Sequence, residues 1–567
     1  MVNIIHKCRE QIKERIWNAI ADSIKKGELP ESDIQQMQEI IVETPREKGY
    51  GDFSTNVAMQ LARQMKKAPR QIAETIIKNL DTADTYITDV SCAGAGFINF
   101  KLNTKWLEDS LKQIHLQDVD YGKIDLGKNK KVMVEYVSAN PTGPLHMGNA
   151  RGGALGDCIA SVLEAAGYDV TREYYINDAG NQIEKFGASL EARYIQQIKG
   201  EDAIAFPEDG YKGEDIVDHV KEYIKEYGEA LINLDSEQRR KALVEYALPK
   251  NIKSIREALK TYGINFDVWF SEQSLYDSGE LQETLEILKK NGYVYEKEGA
   301  LWFKATDFGV EKDEVLVRNN GVPTYYATDI AYHRNKFEKR KFDWVIDLWG
   351  ADHHGHVARM KAAMTALGLD ASKLDVVLFQ LVRLFRNGEI ARMSKRTGRA
   401  ISLVDLLEDV GRDAARFFFN MKASGNHLDF DLDLAAKQSN ENPVYYVQYA
   451  HARICSMIRI LEESGVKVPS ASEVDLSLLV QQEEIDLMRK LAELPDEIRI
   501  CAQTLEPSRL TRYVLDVAGL FHSFYNACRV KGEEEPLMLA RLVLADCTRI
   551  VIRNVLNILS ISAPERM

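Results

Sequence analysis

The sequence predicts a multidomain α/β protein built around an open parallel sheet of the mononucleotide-binding kind. Three observations carry that expectation. A β-branched run, Val132 to Val137, ends in a Pro/Gly-rich turn and then a small-residue helix, Ala150 to Gly167. Apolar strands return at Tyr168 to Ile176 and at Trp344 to Leu348, each followed by polar residues and a helical pattern, which is the βα rhythm of a parallel sheet. From about residue 401 onward the 3.6-residue period is continuous and strand signals are few. At 567 residues the chain is too long for one core, and about four folding units are expected.

Bulk properties narrow the class. Apolar residues make up 45% and charged residues 28%, as in ordinary globular proteins, which excludes a disordered or fibrous chain. The seven cysteines (8, 92, 158, 455, 501, 528 and 547) form no Cys-x-x-Cys pair. Such scatter points to buried thiols in a reducing compartment and to no zinc site. The N-terminal MVNIIHKCREQIKERIW mixes charge into its apolar stripe and has no signal-peptide core, and no run approaches the ~18 apolar residues of a membrane span, so a cytoplasmic location is expected. The net charge of −13 does not advertise nucleic-acid binding, so any RNA contact must rest on local segments.

Taken in order, residues 1 to about 120 read as a separate small α/β unit. It has a helix near 4–26, a strand-like IIVETP at 40–45 and a glycine turn at 48–53. A helical stretch with Arg63, Lys66, Lys67 and Arg70 follows, then a strand at 96–100. Next, the strand 132–137, the turn Asn140-Pro141-Thr142-Gly143-Pro144 and the helix after it make a phosphate site, because unpaired N–H groups and the positive helix end face the ligand. Here His146 adds a donor, Gly148 lets an adenine ring approach the backbone, and Asn149 adds a second polar group. Residues about 190–300 are helical and highly charged, and read as an insertion with solvated faces. The second half returns at Val315 to Arg318. Tyr325 and Asp329, four apart on a helix, can face one pocket, and an acid there suits a cationic ligand. Glu135 lies inside an apolar strand, where a carboxylate calls for a cationic partner. Asp352, His353, His354 and His356 lack one-faced ligand spacing, so no metal site is expected there.

His146-Met147-Gly148-Asn149 resembles the HIGH motif of class I aminoacyl-tRNA synthetases, and the longer ANPTGPLHMGN resembles the arginyl-tRNA synthetases specifically. Arg392-Met393-Ser394-Lys395-Arg396, ~245 residues later, resembles the KMSKS loop with arginine at its first and last positions. GYGDFSTNVA, GAGFINF, YINDAGNQI and the terminal APERM extend the resemblance over the whole chain. It implies a class I Rossmann-type catalytic domain (121–400, insertion about 190–300). A tRNA-elbow-binding domain (1–120) precedes it and a helical anticodon-binding domain (401–567) follows.

The implied chemistry is arginine–tRNA ligation: arginine and ATP form arginyl-adenylate and pyrophosphate, and the arginyl group passes to the 3′ end of tRNA(Arg). His146, Asn149 and Lys395 are the implied catalytic residues, and Pro144, Gly148, Gly350, Asp352, Met393 and Ser394 join them around ATP. Glu135, Ser138, Asn140, His146, Tyr325, Asp329 and His353 take arginine. A mobile cationic loop over the β,γ-phosphates would stabilise the departing pyrophosphate. Mg²⁺ accompanies ATP without a protein cage.

For tRNA, Phe97 is expected either in the core or stacked on an unpaired base, and Asn99 is expected to point outward. Tyr445, Tyr449 and Arg453 interleave aromatic and basic groups, as either a core stripe or a stacking platform, and the resemblance places Met567 near the anticodon loop. The family implies a monomer. Two rivals remain: a class I synthetase for another amino acid, and an inactive relative kept for RNA binding. The absence of Cys/His ligands argues against a cysteinyl enzyme, and intact His146, Gly148 and Lys395 argue against an inactive one.

Overall fold

The computed structural model describes residues 3–30, 39–45, 47–391 and 401–567. The N-terminal unit packs the helix Ile4–Lys25 and the helices Val57–Met65 and Pro69–Lys78 on a small antiparallel sheet. Its strands are β1 (Phe53–Thr55), β2 (Ile87–Ala93) and β3 (Phe97–Leu102), in the order β1-β3-β2. The expected strand at 40–45 contributes a single bridge, Glu43 to Ser54. The unit rests on the C-terminal helices, with Arg489 donating to Asp52 at 2.8 Å and Arg553 to Asp118 at 2.6 Å.

The centre is a five-stranded parallel sheet. β4 (Lys131–Glu135), β5 (Asp169–Ile176) and β6 (Val268–Ser271) form one half. β7 (Val294–Lys297), β8 (Ala300–Phe303) and β9 (Glu314–Val317) form a separate antiparallel sheet. β10 (Trp344–Gly350) and β11 (Leu374–Phe379) then complete the centre in the order β11-β10-β4-β5-β6. Chain direction along the sheet reverses between β4 and β10, the switch point where ligands of such sheets bind. β12 (Val382–Arg386), β13 (Glu389–Ile390) and β14 (Leu428–Asp431) form a third small sheet.

Two expectations are corrected here. The charged region 190–300 is not helical throughout, because β6 belongs to the central sheet and β7 and β8 precede residue 301. Three of its helices, Asn181–Lys199, Glu214–Tyr227 and Ser236–Thr261, pack around a core of their own that includes Phe186, Leu190, Tyr194, Val220 and Leu243, and a further helix, Glu280–Lys290, follows β6. The region after 401 is not free of strands either. β14 pairs in parallel with β12, so the chain returns to the catalytic side before the helices begin.

The helix Met147–Ala165 is buried along nearly its whole length, which only small side chains permit. A Cβ at Gly156 would lie 2.3 Å from the Tyr136 ring, so glycine there sets how closely the helix approaches the sheet. Its charged residues are paired inside: Arg416 donates to Asp157 and, at 2.8 Å, to the carbonyl of Leu559, locking the C-terminal helices to this helix. Among the described residues, no helix is long and apolar enough to cross a membrane.

Candidate active site

The crevice at the C-terminal edge of the sheet has two chemically different ends. At the first, His146 caps the helix Met147–Ala165 in a reciprocal box. The His146 Nδ1 accepts the Gly148 N–H at 3.1 Å, and the Asn149 side-chain oxygen accepts the His146 N–H at 3.1 Å. With Nδ1 accepting, Nε2 carries the proton and is the donor left for a ligand. Desolvation holds the His146 pKa below the ordinary histidine value, which favours that neutral ring. A Cβ on Gly148 would sit 3.1 Å from the His146 ring, so the glycine and the imidazole position are linked.

Residues 392–400, with Arg392, Met393, Ser394, Lys395 and Arg396, lie outside the described residues. The segment that follows them does not. Ser402 bridges to His146, and the Leu403 N–H donates to the Leu145 carbonyl at 2.9 Å. Residues 402 and 403 are therefore pinned beside the HMGN turn.

The second end is acidic. Glu135 closes β4, and its carboxylate accepts from Ser138 Oγ at 2.9 Å and from Lys336 Nζ at 2.7 Å. The cation expected next to Glu135 is thus supplied by the chain itself. Val137 and Ser138 follow with φ of 69° and 37°, two strained residues in succession, of a kind that accumulates at binding sites. Asn140 accepts from Asn177 at 2.9 Å. Asp178 accepts from Ser271 Oγ and the Gln273 N–H at 2.6 and 2.9 Å, so it ties β5 to the chain after β6. Tyr325 opens the helix Tyr325–Arg334 and is exposed. Asp329, one turn on, faces His356 at 3.0 Å.

Two further residues meet these, and neither was singled out in the sequence. Glu272, directly after β6, is only 1% exposed, yet its Oε2 has no partner. Burial and then the neighbouring Asp329 push its carboxyl up to about 7. The Tyr175 hydroxyl also has no partner, and burial with Glu272, Asp329 and Glu135 pushes its pKa well above the tyrosine value. Unsatisfied buried polar groups are uncommon in native proteins, and a cluster of them at a crevice marks a place for a polar ligand. The sequence signal for Glu272 was weak, since SEQS after an apolar run reads as an ordinary turn.

Gly350 ends β10 at the same edge, with Asp352 and His353 exposed beyond it and 3.5 Å apart. Arg151 also escaped the sequence reading. Fully buried, it donates to the Gln380 and Ala423 carbonyls at 2.6 and 3.1 Å and so joins the HMGN helix to the segments after β11 and before β14.

Outside the crevice, Phe97 is 44% exposed and so does not belong to the core. Asn99 is buried, against expectation. It shares the Phe97 face of β3 and is the central position of the three-stranded sheet, flanked by Ser54 of β1 and Ser91 of β2. In the C-terminal helix Pro443–Glu463 the aromatic stripe divides. Gln448 and His451 bond the tail at Ser562 and Pro564, whereas Tyr445, Tyr449 and Arg453 share one half-buried face. The Tyr445 and Tyr449 rings lie 7° from parallel, and the Arg453 guanidinium sits 3.8 Å from the Tyr525 ring centre. Arg453, Tyr525, Arg529 and Lys531 line a groove of about 330 Å³, and Met567 is exposed.

A parallel sheet with its switch point beside the capped HMGN helix, followed by a small mixed sheet and a helical bundle, is the architecture of the class I aminoacyl-tRNA synthetases, and the catalytic-domain family model assigns the chain to that class. Family models agree along the chain. Residues 10–102 match the arginyl-tRNA synthetase N-terminal domain, 110–439 the class I (R) catalytic domain and 447–567 the DALR anticodon-binding domain. Arginine–tRNA ligases of Acetivibrio thermocellus and Ruminiclostridium cellulolyticum are 69% and 68% identical over 567 residues, covering all of both chains. The Thermus thermophilus arginyl-tRNA synthetase structure superposes with a TM-score of 0.75 at 23% identity, covering 99% of this chain and 100% of that one, a likeness of fold. The chain belongs to the arginyl-tRNA synthetase family.

Proposed function

We propose that the crevice performs arginine–tRNA ligation with its two ends divided between substrates: ATP phosphates at His146–Asn149 and the arginine side chain at Glu272, Asp329 and Tyr175. The observation that carries this is the buried, unpaired Glu272 Oε2 beside Asp329 and the unpaired Tyr175 hydroxyl. A planar guanidinium, with five donors and a fixed positive charge, supplies what those acceptors lack. Citrulline would leave the carboxylates without a cation, and lysine lacks the planar fork, so discrimination needs no editing step.

The remaining assignments follow from position. Tyr325 covers the arginine pocket from the first turn of its helix, while Ser138, Asn140 and His353 stand at the amino and carboxylate end. Glu135 lines the floor with its charge matched by Lys336. Pro144, Gly148, Gly350 and Asp352 border the ATP. Met393, Ser394 and Lys395 belong to the loop over the pyrophosphate, as the family motif implies.

In the first step the arginine carboxylate attacks the α-phosphorus of ATP, the bond to the β-phosphate oxygen breaks, and pyrophosphate leaves. The Nε2–H of His146 and the helix end favour the charge that grows on the phosphates. A ribose hydroxyl at the tRNA 3′ end then attacks the arginyl carbonyl and AMP leaves. Mg²⁺ would travel with ATP, held by phosphate and water.

The N-terminal unit meets the tRNA body through Phe97, and Tyr445, Tyr449, Arg453 and Met567 meet the anticodon end. The catalytic unit is taken as 121–400, between units 1–120 and 401–567, in a cytoplasmic monomer. ATP–pyrophosphate exchange across all twenty amino acids, with and without tRNA, tests the reading. Exchange with arginine alone supports it, and exchange with another amino acid overturns the acidic-pocket assignment.

A further inference from the structure

Glu135 of β4 and Asp347 of β10 are direct neighbours in the parallel register, which brings two carboxylates together inside the sheet edge. The cation between them is Lys336, with no exposed surface, at 2.7 Å from Glu135 and 2.9 Å from Asp347. Lys336 comes from the turn Asn335–Lys339, whose i→i+5 bonding departs from the α-helix before it. Such π turns are rare, occur mostly as single bulges and are frequent at functional sites, because the extra residue re-aims a side chain. Here the re-aimed side chain is the ammonium, which also lies 4.1 Å from the Tyr332 ring centre.

Both carboxylates lead onward to the arginine end of the crevice. Through its other oxygen Glu135 holds Ser138, whose hydroxyl accepts the Tyr175 N–H at 3.1 Å, so the strained pair Val137–Ser138 is tied to β5. Through its other oxygen Asp347 meets His333 Nε2 at 2.8 Å, and His333 Nδ1 meets the Asp329 backbone carbonyl at 2.7 Å. One buried ammonium is therefore two contacts away from Ser138 on one side and three from Asp329 on the other. A buried ion pair is weak evidence for stability, since apolar replacements of similar volume are often neutral or better. What it does set is the relative position of the groups it joins.

We propose that Lys336 is a positioning residue for arginine, fixing the strained loop after β4 against the helix that carries Asp329. The proposal rests on the reading of Asp329 as an arginine ligand. Lys336 touches no substrate. Its effect is to hold the two walls of the arginine pocket at one spacing, while the HMGN turn, anchored by its own cap, does not depend on it.

The test is ATP–pyrophosphate exchange of the full chain with total tRNA, varying arginine and ATP separately, on Lys336→Met and on Asp329→Asn. Misplacement of a binding group by about 1 Å costs on the order of a hundredfold, so Lys336→Met is expected to raise the arginine KM by roughly ten- to a hundredfold, with the ATP KM within about twofold. An arginine KM within about twofold of the parent, or arginine and ATP KM rising together, overturns the proposal, since a merely structural role predicts no split. If Lys336→Met does not fold, judged by its thermal transition, Asp347→Asn takes its place with the same two outcomes. Should Asp329→Asn leave the arginine KM unchanged, the pocket reading itself fails and the proposal falls with it. A raised arginine KM in Asp329→Asn alone would overturn only the role of Lys336.

Discussion

The two ends of the crevice solve the same problem, holding a charged ligand, with different materials. The phosphate end is mostly backbone: a helix N-terminus, a reciprocal cap between His146 and Asn149, and a glycine whose missing Cβ leaves room for the imidazole. Its parts are four consecutive residues. The arginine end is made of side chains from five separate places: Glu135 at the end of β4, Tyr175 in β5, Glu272 after β6, Asp329 on a later helix and Lys336 beyond it. A dipole and N–H groups bind any phosphate, so the first end is generic. Only converging charges and hydroxyls tell a guanidinium from an ammonium, so the second end carries the specificity.

That division predicts which kinetic parameter each substitution moves. The largest effect is expected at the phosphate end. His146→Ala should reduce kcat by roughly a hundredfold or more, the scale of losing a positioned donor, and leave arginine binding intact by calorimetry. Next comes the arginine end. Asp329→Asn should lower kcat/KM for arginine by at least about 1–2 kcal/mol of transition-state stabilisation, the scale of losing a charged hydrogen bond at a half-buried carboxylate, with the ATP KM nearly unchanged in exchange assays. If either variant moves both substrates equally, the ends are not independent.

The pH dependence sharpens the contrast. Glu272 titrates near pH 7 when free, and the arginine cation favours its charged form. Arginine KM should therefore rise below pH 7, toward about tenfold per unit, and Glu272→Gln should flatten that profile. The stability sign runs the other way. A carboxyl whose folded pKa is raised to about 7 stabilises the protein at low pH and loses that contribution as pH rises from the ordinary glutamate range, near 4.5, through 7. Without arginine, the thermal midpoint of Glu272→Gln should gain on the parent as pH rises from about 4.5 to about 7 and level off above that. The smallest effect is expected at the rim. Asn177→Ala removes one exposed bond to Asn140 and should cost about 0.5–1.5 kcal/mol, read as a severalfold rise in arginine KM. A larger effect would make that edge part of the specificity end.

The same contrast explains what was legible beforehand. The HMGN turn, its strand and its small-residue helix are contiguous, so local pattern sufficed, and Tyr325 with Asp329 stood out by their spacing on one helix. Glu272 sits in what reads as an ordinary turn after an apolar run, and Lys336 in a charged stretch where nothing local separates it from solvated neighbours; the burial of both depends on how β6 and the π turn meet the rest of the sheet. Asn99 misled for a similar reason. Alternation puts it on the same face of β3 as the exposed Phe97, but how far each position on that face is covered is set by the tertiary packing and not by the period.

By itself, then, the sequence determined the class of the catalytic sheet, the phosphate turn and the helical C-terminal body, because each rests on periodicity or on backbone chemistry within one segment. The family resemblance was equally readable, being carried by contiguous strings. Tertiary structure alone decided which carboxylates are matched and which are left open. Glu135 has Lys336 at 2.7 Å, Asp329 faces His356, and Glu272 keeps an unpaired oxygen. Charge compensation acts over a few ångströms through space, and residues 135, 272, 329 and 336 come that close only once the sheet has formed.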